Sequence, residues 1–294
     1  MTRVLDKTLH PVLLDKMRQG TNPFGEIAKS RFLALLDNGP RFLLGRHASA
    51  EAEFMRVNDY GVTIRSFSSL RFPSGPSFWE WIPDFTERLP AEDTLTVPDR
   101  CGFLVVADPD GQRGILHFVS HMPAMGTKAS PVVYIPPIAL RFDITCGDRP
   151  VDTIMRLPTA QELEEQWRER NRDQGELTAL ETEARIEDAV ALLNRFGAIV
   201  SPLYRHDDAC PIPSNPALFS SMHWEFFHDE MNDAAFNASV LLCMMLVARS
   251  PRAVRWRSHE AGRKSRRFIA TETIEIPRDA GQSASRSGSQ EGAI

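Results

Sequence analysis

The chain has 294 residues, 42% of them hydrophobic and 25% charged, with a formal net charge of −5. This composition excludes fibrous and disordered classes and suits a globular protein with a sizeable core. The longest apolar run, Val240 to Ala248, falls well short of the roughly 20 residues that span a bilayer. The first twenty residues mix charges into their apolar positions and hold no secretory block, so a cytoplasmic address and no membrane partner are expected.

Residues 3–37 read as two helices, broken at Pro11 and again at Gly20-Thr21-Asn22-Pro23, since apolar residues recur at helical spacing between those breakers. A further helix is expected over Ala48 to Val57. The alternation of Val62-Thr63-Ile64-Arg65-Ser66-Phe67 suggests a strand. Phe78-Trp79-Glu80-Trp81-Ile82 reads as a short strand with tryptophan on both faces, ended by Pro83. Residues 84–100 are acidic and irregular.

The organising stretch is Cys101 to His121. Two apolar runs flank Asp108-Pro109-Asp110-Gly111, a string in which proline presets one dihedral, aspartate bonds nearby amides and glycine takes positive φ. A β-hairpin follows. Phe103, Leu104, Val105 and Val106 on one side and Ile115, Leu116, Phe118 and Val119 on the other are apolar on both faces, so the hairpin should lie in a sheet covered on both sides. Val132 to Ile135 and Ile138 to Ile144 read as further strands. The second alternates apolar and polar residues, so it should be half exposed and neighbour the hairpin in an antiparallel meander.

After Pro150 the period becomes helical. Thr159-Ala160-Gln161-Glu162 has the form of a capping box, and a second helix begins near Glu176 and runs, through Ile186, Val190, Leu193 and Phe196, to Gly197. Residues 198–222 look irregular. A helix capped by Asn232 or Asp233 should end at Ser250-Pro251, and its apolar second half should be buried. Phe268 to Ile276 alternates as a last strand suited to an edge, and Arg278 to Ile294 is too poor in apolar residues to order. The expected architecture is one α+β domain over residues 1–277 with a mainly antiparallel sheet, helices packed on it, and a disordered tail over residues 278–294.

Chemistry-bearing residues are sparse. Cys101, Cys146, Cys210 and Cys243 form no Cys-x-x-Cys pair, so reduced thiols are expected. Glu225 and His228 stand at the i, i+3 spacing of carboxylate-bridged metal bundles, but such a site needs a second pair. His223 and His228, five apart, lie about 140° apart round a helix and cannot share an ion as i, i+4 histidines do. His206, Asp207, Asp208 and Cys210 occupy a proline-bounded loop with ligand-capable side chains. His117 and His121 would be spread by roughly 13 Å along a strand. These residues define an alternative reading as a metal-dependent enzyme near His206, Glu225 and His228. The phosphate-loop, Rossmann, nucleophile-elbow and zinc-protease signatures are missing, so neither a metal nor a cofactor is expected.

Charge is segregated. Between residues 249 and 267 stand Arg249, Arg252, Arg255, Arg257, Arg263, Lys264, Arg266 and Arg267 against Glu260 alone, a balance of +7, while residues 1–248 carry −10. Arg255, Arg257, Arg263, Lys264, Arg266 and Arg267 could neutralise phosphates, and Trp256 offers a stacking face. The bland alternative is a solvated loop before the last strand. Nucleic acid, or an acidic protein surface, is the expected partner.

Taken together, Phe78 to Trp81, Arg100 to Val105, Ala191 to Asn194 and Gly262-Arg263-Lys264 resemble landmarks in a loose group of uncharacterised alphaproteobacterial proteins, several associated with prophages or plasmids. The resemblance implies a bacterial, mobile-element setting and carries no activity. It admits a phage structural or assembly role as a further reading.

Overall fold

The structure is a computed structural model, and it describes residues 26–44, 52, 60–81, 83, 98, 100–122, 132–145, 150–154, 159–170, 179–204, 210–249, 254–259 and 268–273. The first expected helix, nearly all of the one over residues 48–57, the acidic stretch after residue 83, Cys146, residues 206–208, residues 260–267 and the tail lie outside them.

The fold is α+β: nine strands form one sheet and five α-helices accompany it among the described residues. In chain order these are α1 (Glu26–Leu36), β1 (Arg41–Leu44), α2 (Tyr60–Ser66), β2 (Gly75–Trp81), β3 (Arg100–Ala107), β4 (Arg113–Met122), β5 (Val132–Tyr134), β6 (Ile138–Asp143), α3 (Ala160–Arg170), α4 (Ala179–Leu193), β7 (Phe196–Val200), α5 (Ser221–Ala248), β8 (Val254–His259) and β9 (Phe268–Thr273). Across the sheet the order is β7-β6-β4-β3-β2-β1-β9-β8, with β5 also on β4. The pairings are antiparallel except where β1 meets β2 and β9.

The expected hairpin is the centre of this sheet. β3 and β4 pair from Arg100 opposite His121 to Ala107 opposite Gly114. The turn forms as its residues dictate: the Gly111 amide donates to Asp108 O at 2.9 Å, Asp110 Oδ1 accepts from the Gln112 amide at 2.9 Å, and Gly111 sits at φ +69°. Gln112 and Arg113 hold the Asp110 carboxyl below its usual pKa.

The sheet is covered twice. One face meets α5 and carries Trp79, Trp81, Phe103, Val105, Leu116, Phe118, Leu140 and Phe142 in the larger apolar cluster. The other carries Phe78, Leu104, Val119 and Val133 against Ala28, Phe32 and Leu36 of α1, with Leu203 and Tyr204. Because strand residues alternate in face, β3 contributes to both clusters, which explains its unbroken apolar run. As expected, β6 turns Ile138, Leu140 and Phe142 inward, pairs antiparallel to β4 and leaves Arg141 exposed, though Ala139 is also buried.

Several expectations are corrected. Residues 62–67 are helical, not a strand: Thr63, Ile64 and Phe67 are buried at helical spacing while Val62 is exposed. Tertiary burial outweighs the β-branched preference there. The two tryptophans of β2 share one face, since they lie two apart, and Phe78 and Glu80 take the other. Helix α4 stops at Leu193, and Phe196–Val200 is a strand against β6. At Gly197 a Cβ would come within 2.1 Å of Asp152 O, so that glycine serves a close backbone approach rather than a helix stop. β9 lies inside the sheet, between β1 and β8, so β8 takes the edge.

The capping box forms at α3, where Thr159 Oγ1 accepts from the Glu162 amide at 3.2 Å and Glu162 Oε2 accepts from the Thr159 amide at 2.7 Å. Helix α5 starts at Ser221, well before the Asn232 or Asp233 expected as its cap. The Ser220 hydroxyl accepts from the His223 amide at 3.4 Å, and His223 Nδ1 accepts from the Ser220 amide at 3.1 Å. Histidine here fills the place that glutamate or glutamine usually takes in a capping box. The second half of α5, Ala238 to Met245, is buried without a break. By length and composition α5 could also cross a membrane, yet over half of its most apolar stretch is buried within the fold.

Candidate nucleic-acid interface and buried polar groups

The basic segment emerges from the end of α5 and enters the sheet. Its middle third is β8, and that corrects the reading of the whole segment as a loop. Arg255, Trp256 and Arg257 lie on this edge strand, with Arg255 opposite Glu272, Trp256 opposite Thr271 and Arg257 opposite Ala270. Residues 260–267, which connect β8 to β9 and include Arg263, Lys264, Arg266 and Arg267, lie outside the described residues. β9 in turn pairs with β1 through Phe42 opposite Ile269 and Leu43 opposite Ala270. The framework of the basic hairpin is thus fixed to the sheet by two ladders.

Among the described residues the metal-ligand candidates do not assemble, and His206, Asp207 and Asp208 lie outside them. His223 is engaged in the α5 cap, and Glu225 and His228 are exposed on that helix. Phe219 packs its ring 4.8 Å from Trp224 and 5.7 Å from Phe227, which makes this stretch an aromatic-anchored helix start. His117 and His121 lie on one face of β4, both buried. His117 Nδ1 stands 3.1 Å from Ser201 Oγ, and burial pushes its pKa down to about 4, so the ring is neutral at ordinary pH. Among the described residues no three His, Cys, Asp or Glu side chains could hold a metal ion. Of the described cysteines, Cys101 and Cys243 are buried and Cys210 is half-buried.

Comparison with protein-family models, with curated proteins and with solved structures finds no match to this chain.

Two polar clusters, one buried and one half-buried, were not legible as such. On the face toward α1, Arg41, Glu80, His117 and His121 are each at most 5% exposed, and Arg41 reaches Asp37 at 3.7 Å. Glu80 lies opposite Gly102 on β3 and Leu43 on β1. A lone carboxylate inside Phe78-Trp79-Glu80-Trp81 was the available signal. On the face toward α5, Tyr134 Oη donates to Glu230 Oε1 at 2.7 Å. Burial, opposed by that bond and reinforced by Asp233 and Asp229, raises the Glu230 pKa to about 7. Burial and then the Glu230 charge push the Tyr134 phenol well above its ordinary value.

A cleft of about 420 Å³ opens beside the central turn, lined by Asp108, Arg113, Arg141, Asp143 and Asp152 among others. Arg113 is held by Asp110 at 2.7 Å and Arg141 faces Asp152 at 3.4 Å. Each guanidinium there has a carboxylate of its own, so the cleft offers no surplus cation to an anionic ligand.

Proposed function

We propose that this protein binds nucleic acid through the basic hairpin at the edge of its sheet. The single observation that carries the reading is the position of β8: among the described strands the one bearing Arg255 and Arg257 ends the sheet on its side, and it lies within a segment of balance +7 on a body of −10. An edge strand has one side without a ladder partner, which lets a long polyanion run alongside it. Arginine there neutralises phosphate and releases counterions, a contribution that does not depend on base sequence. Trp256 adds a ring suited to stacking on an unpaired base. Charge on an edge strand also guards against strand-to-strand aggregation, and the same substitutions separate the two roles.

Fluorescence anisotropy with labelled single- and double-stranded DNA tests the reading. The parent protein should bind with an affinity that falls as salt rises from about 50 to 200 mM, and Arg255→Ala/Arg257→Ala should flatten that dependence by roughly one unit of log–log slope per lost phosphate contact. Arg263→Ala/Lys264→Ala/Arg266→Ala/Arg267→Ala should weaken binding further. No salt-sensitive binding by the parent, or an unchanged slope in both variants, removes the proposal.

A further inference from the structure

Helix α1 is held over its face of the sheet by a short clasp. Residues Pro202–Tyr204 form a 3-10 turn directly after β7, and hydrogen bonds tie this turn to both layers. Arg31 of α1 donates from Nη1 to Leu203 O at 2.7 Å, and Tyr204 Oη donates to Ile135 O just after β5. Ser201 donates its amide to Pro137 O at 2.7 Å, and its hydroxyl accepts from the Leu203 amide at 3.3 Å. The same hydroxyl stands 3.1 Å from His117 Nδ1, in the middle of β4. All three of Ser201, Leu203 and Tyr204 are buried, and the last two share one apolar cluster with Ala28 and Phe32 of α1 and with Leu104, which lies opposite His117 on β3.

His117 is the member of this clasp whose charge can change between neutral and mildly acidic pH. Its polar contact is the Ser201 hydroxyl, and no carboxylate among the described residues hydrogen-bonds to it. On this side of the sheet the described cations Lys29 and Arg31 of α1, Arg41 of β1 and Arg100 of β3 outnumber the carboxylates Asp37 of α1 and Glu80 of β2. His121 lies farther along β4, Cys210 borders the apolar cluster, and Arg141 of β6 is exposed beside Asp152. A proton added to the His117 ring therefore puts a cation in apolar surroundings with positive charge in excess around it, and burial holds its pKa down at about 4.

We propose that His117 is an acid-released latch: protonation of its ring frees residues 201–204 and with them α1, opening this face of the sheet while the face under α5 stays closed. The ring is neutral in the closed form, and an open form would take up its proton from the ordinary value of 6.5 downward. The open population should thus rise by up to about tenfold per pH unit between 6.5 and about 4, and level off below. The opposite face answers acid the other way. There Glu230, with a folded pKa of about 7, takes up its proton as pH falls and stays bonded to Tyr134, so its contribution to stability grows. The latch is independent of the basic hairpin.

Hydrogen exchange of the full chain from pH 7 to 4, followed by mass spectrometry and corrected for the intrinsic pH dependence of amide exchange, tests the latch. Helix α1 and residues 201–204 should lose protection as pH falls, while β3 and residues 238–245 of α5 keep theirs. Protection of α1 that does not change with pH overturns the proposal, and so does equal loss in all four segments, which is global acid unfolding. His117→Asn keeps a hydrogen-bonding atom near the place of Nδ1 but does not titrate, so it should abolish the pH dependence of α1 exchange, and His121→Asn should leave it intact. Persistence of the dependence in His117→Asn, or its loss in His121→Asn alone, overturns the assignment. If His117→Asn fails to fold, the His117 ring of the parent, followed by NMR, should titrate in step with α1 exchange; a ring that takes up its proton while α1 stays protected overturns the latch.

Discussion

In the β3–β4 hairpin every residue from Cys101 to Val105 is buried, and the cross-strand partners Phe103 and Phe118 bring their rings 5.3 Å apart. In the β8–β9 hairpin the partners are Arg255 with Glu272, Trp256 with Thr271 and Arg257 with Ala270, at the rim of the same sheet. The backbone geometry is shared and the side chains are not. What differs is coverage: the first hairpin is closed between α5 and α1, and the second borders the sheet. Sheet position therefore divides the labour, with stability concentrated at the centre and charge delivered to the edge.

That division is open to direct attack. The largest expected effect is at the centre, where Phe103→Ala should lower stability by about 3–5 kcal/mol, read from denaturant midpoints, because a fully buried ring leaves a cavity between Trp81 and Phe118. A loss below about 1 kcal/mol would show that the doubly covered hairpin is not the stabilising unit.

A smaller effect is expected at α5, which packs against strands of both regions. Glu230 has a folded pKa of about 7 against an ordinary value of 4.5. The folded state thus holds a proton that the unfolded chain releases, so this group's contribution to stability falls as pH rises from about 4.5 to about 7. Glu230→Gln should flatten that part of the stability curve, measured by thermal melts across the range. A curve with the parent's slope would place the titrating group elsewhere. Asp233 is shifted in the same direction and adds to the residual slope.

The smallest expected effect is at the edge. Arg255→Ala/Arg257→Ala should change stability by no more than about 0.5 kcal/mol per residue while weakening polyanion binding. A large stability loss would mean that these arginines serve the fold, and the contrast between the two hairpins would disappear.

The central hairpin was legible because its turn residues and its apolar runs point to one structure, and local and tertiary preferences agree. The same holds at Thr159 and Glu162, where the cap is a local interaction. Elsewhere the deciding partner was remote in sequence. Val62 to Phe67 alternates as a strand does, but Ile64 and Phe67 are claimed by the core as one face of a helix. Phe196 continues the apolar spacing of α4, yet its place is set by Phe142 across the ladder. Tyr134 and Glu230 meet from elements that share no local pattern, so neither residue announced the other. Arg255 and Arg257 were visible as charge; their edge position depended on β9 pairing with β1, which no local pattern encodes.

The β1–β9 pairing has a consequence for how the protein is made. Phe42 must wait for Ile269, its partner in the ladder, and at ribosomal speeds of about 5–20 residues per second the delay is on the order of tens of seconds. Throughout that interval the nascent sheet ends in a bare β1, whose amides and carbonyls can recruit a foreign chain. Helpers that shield emerging polypeptides would matter most for this protein in that window, and a ribosome stalled shortly before Phe268 would hold the vulnerable species in place.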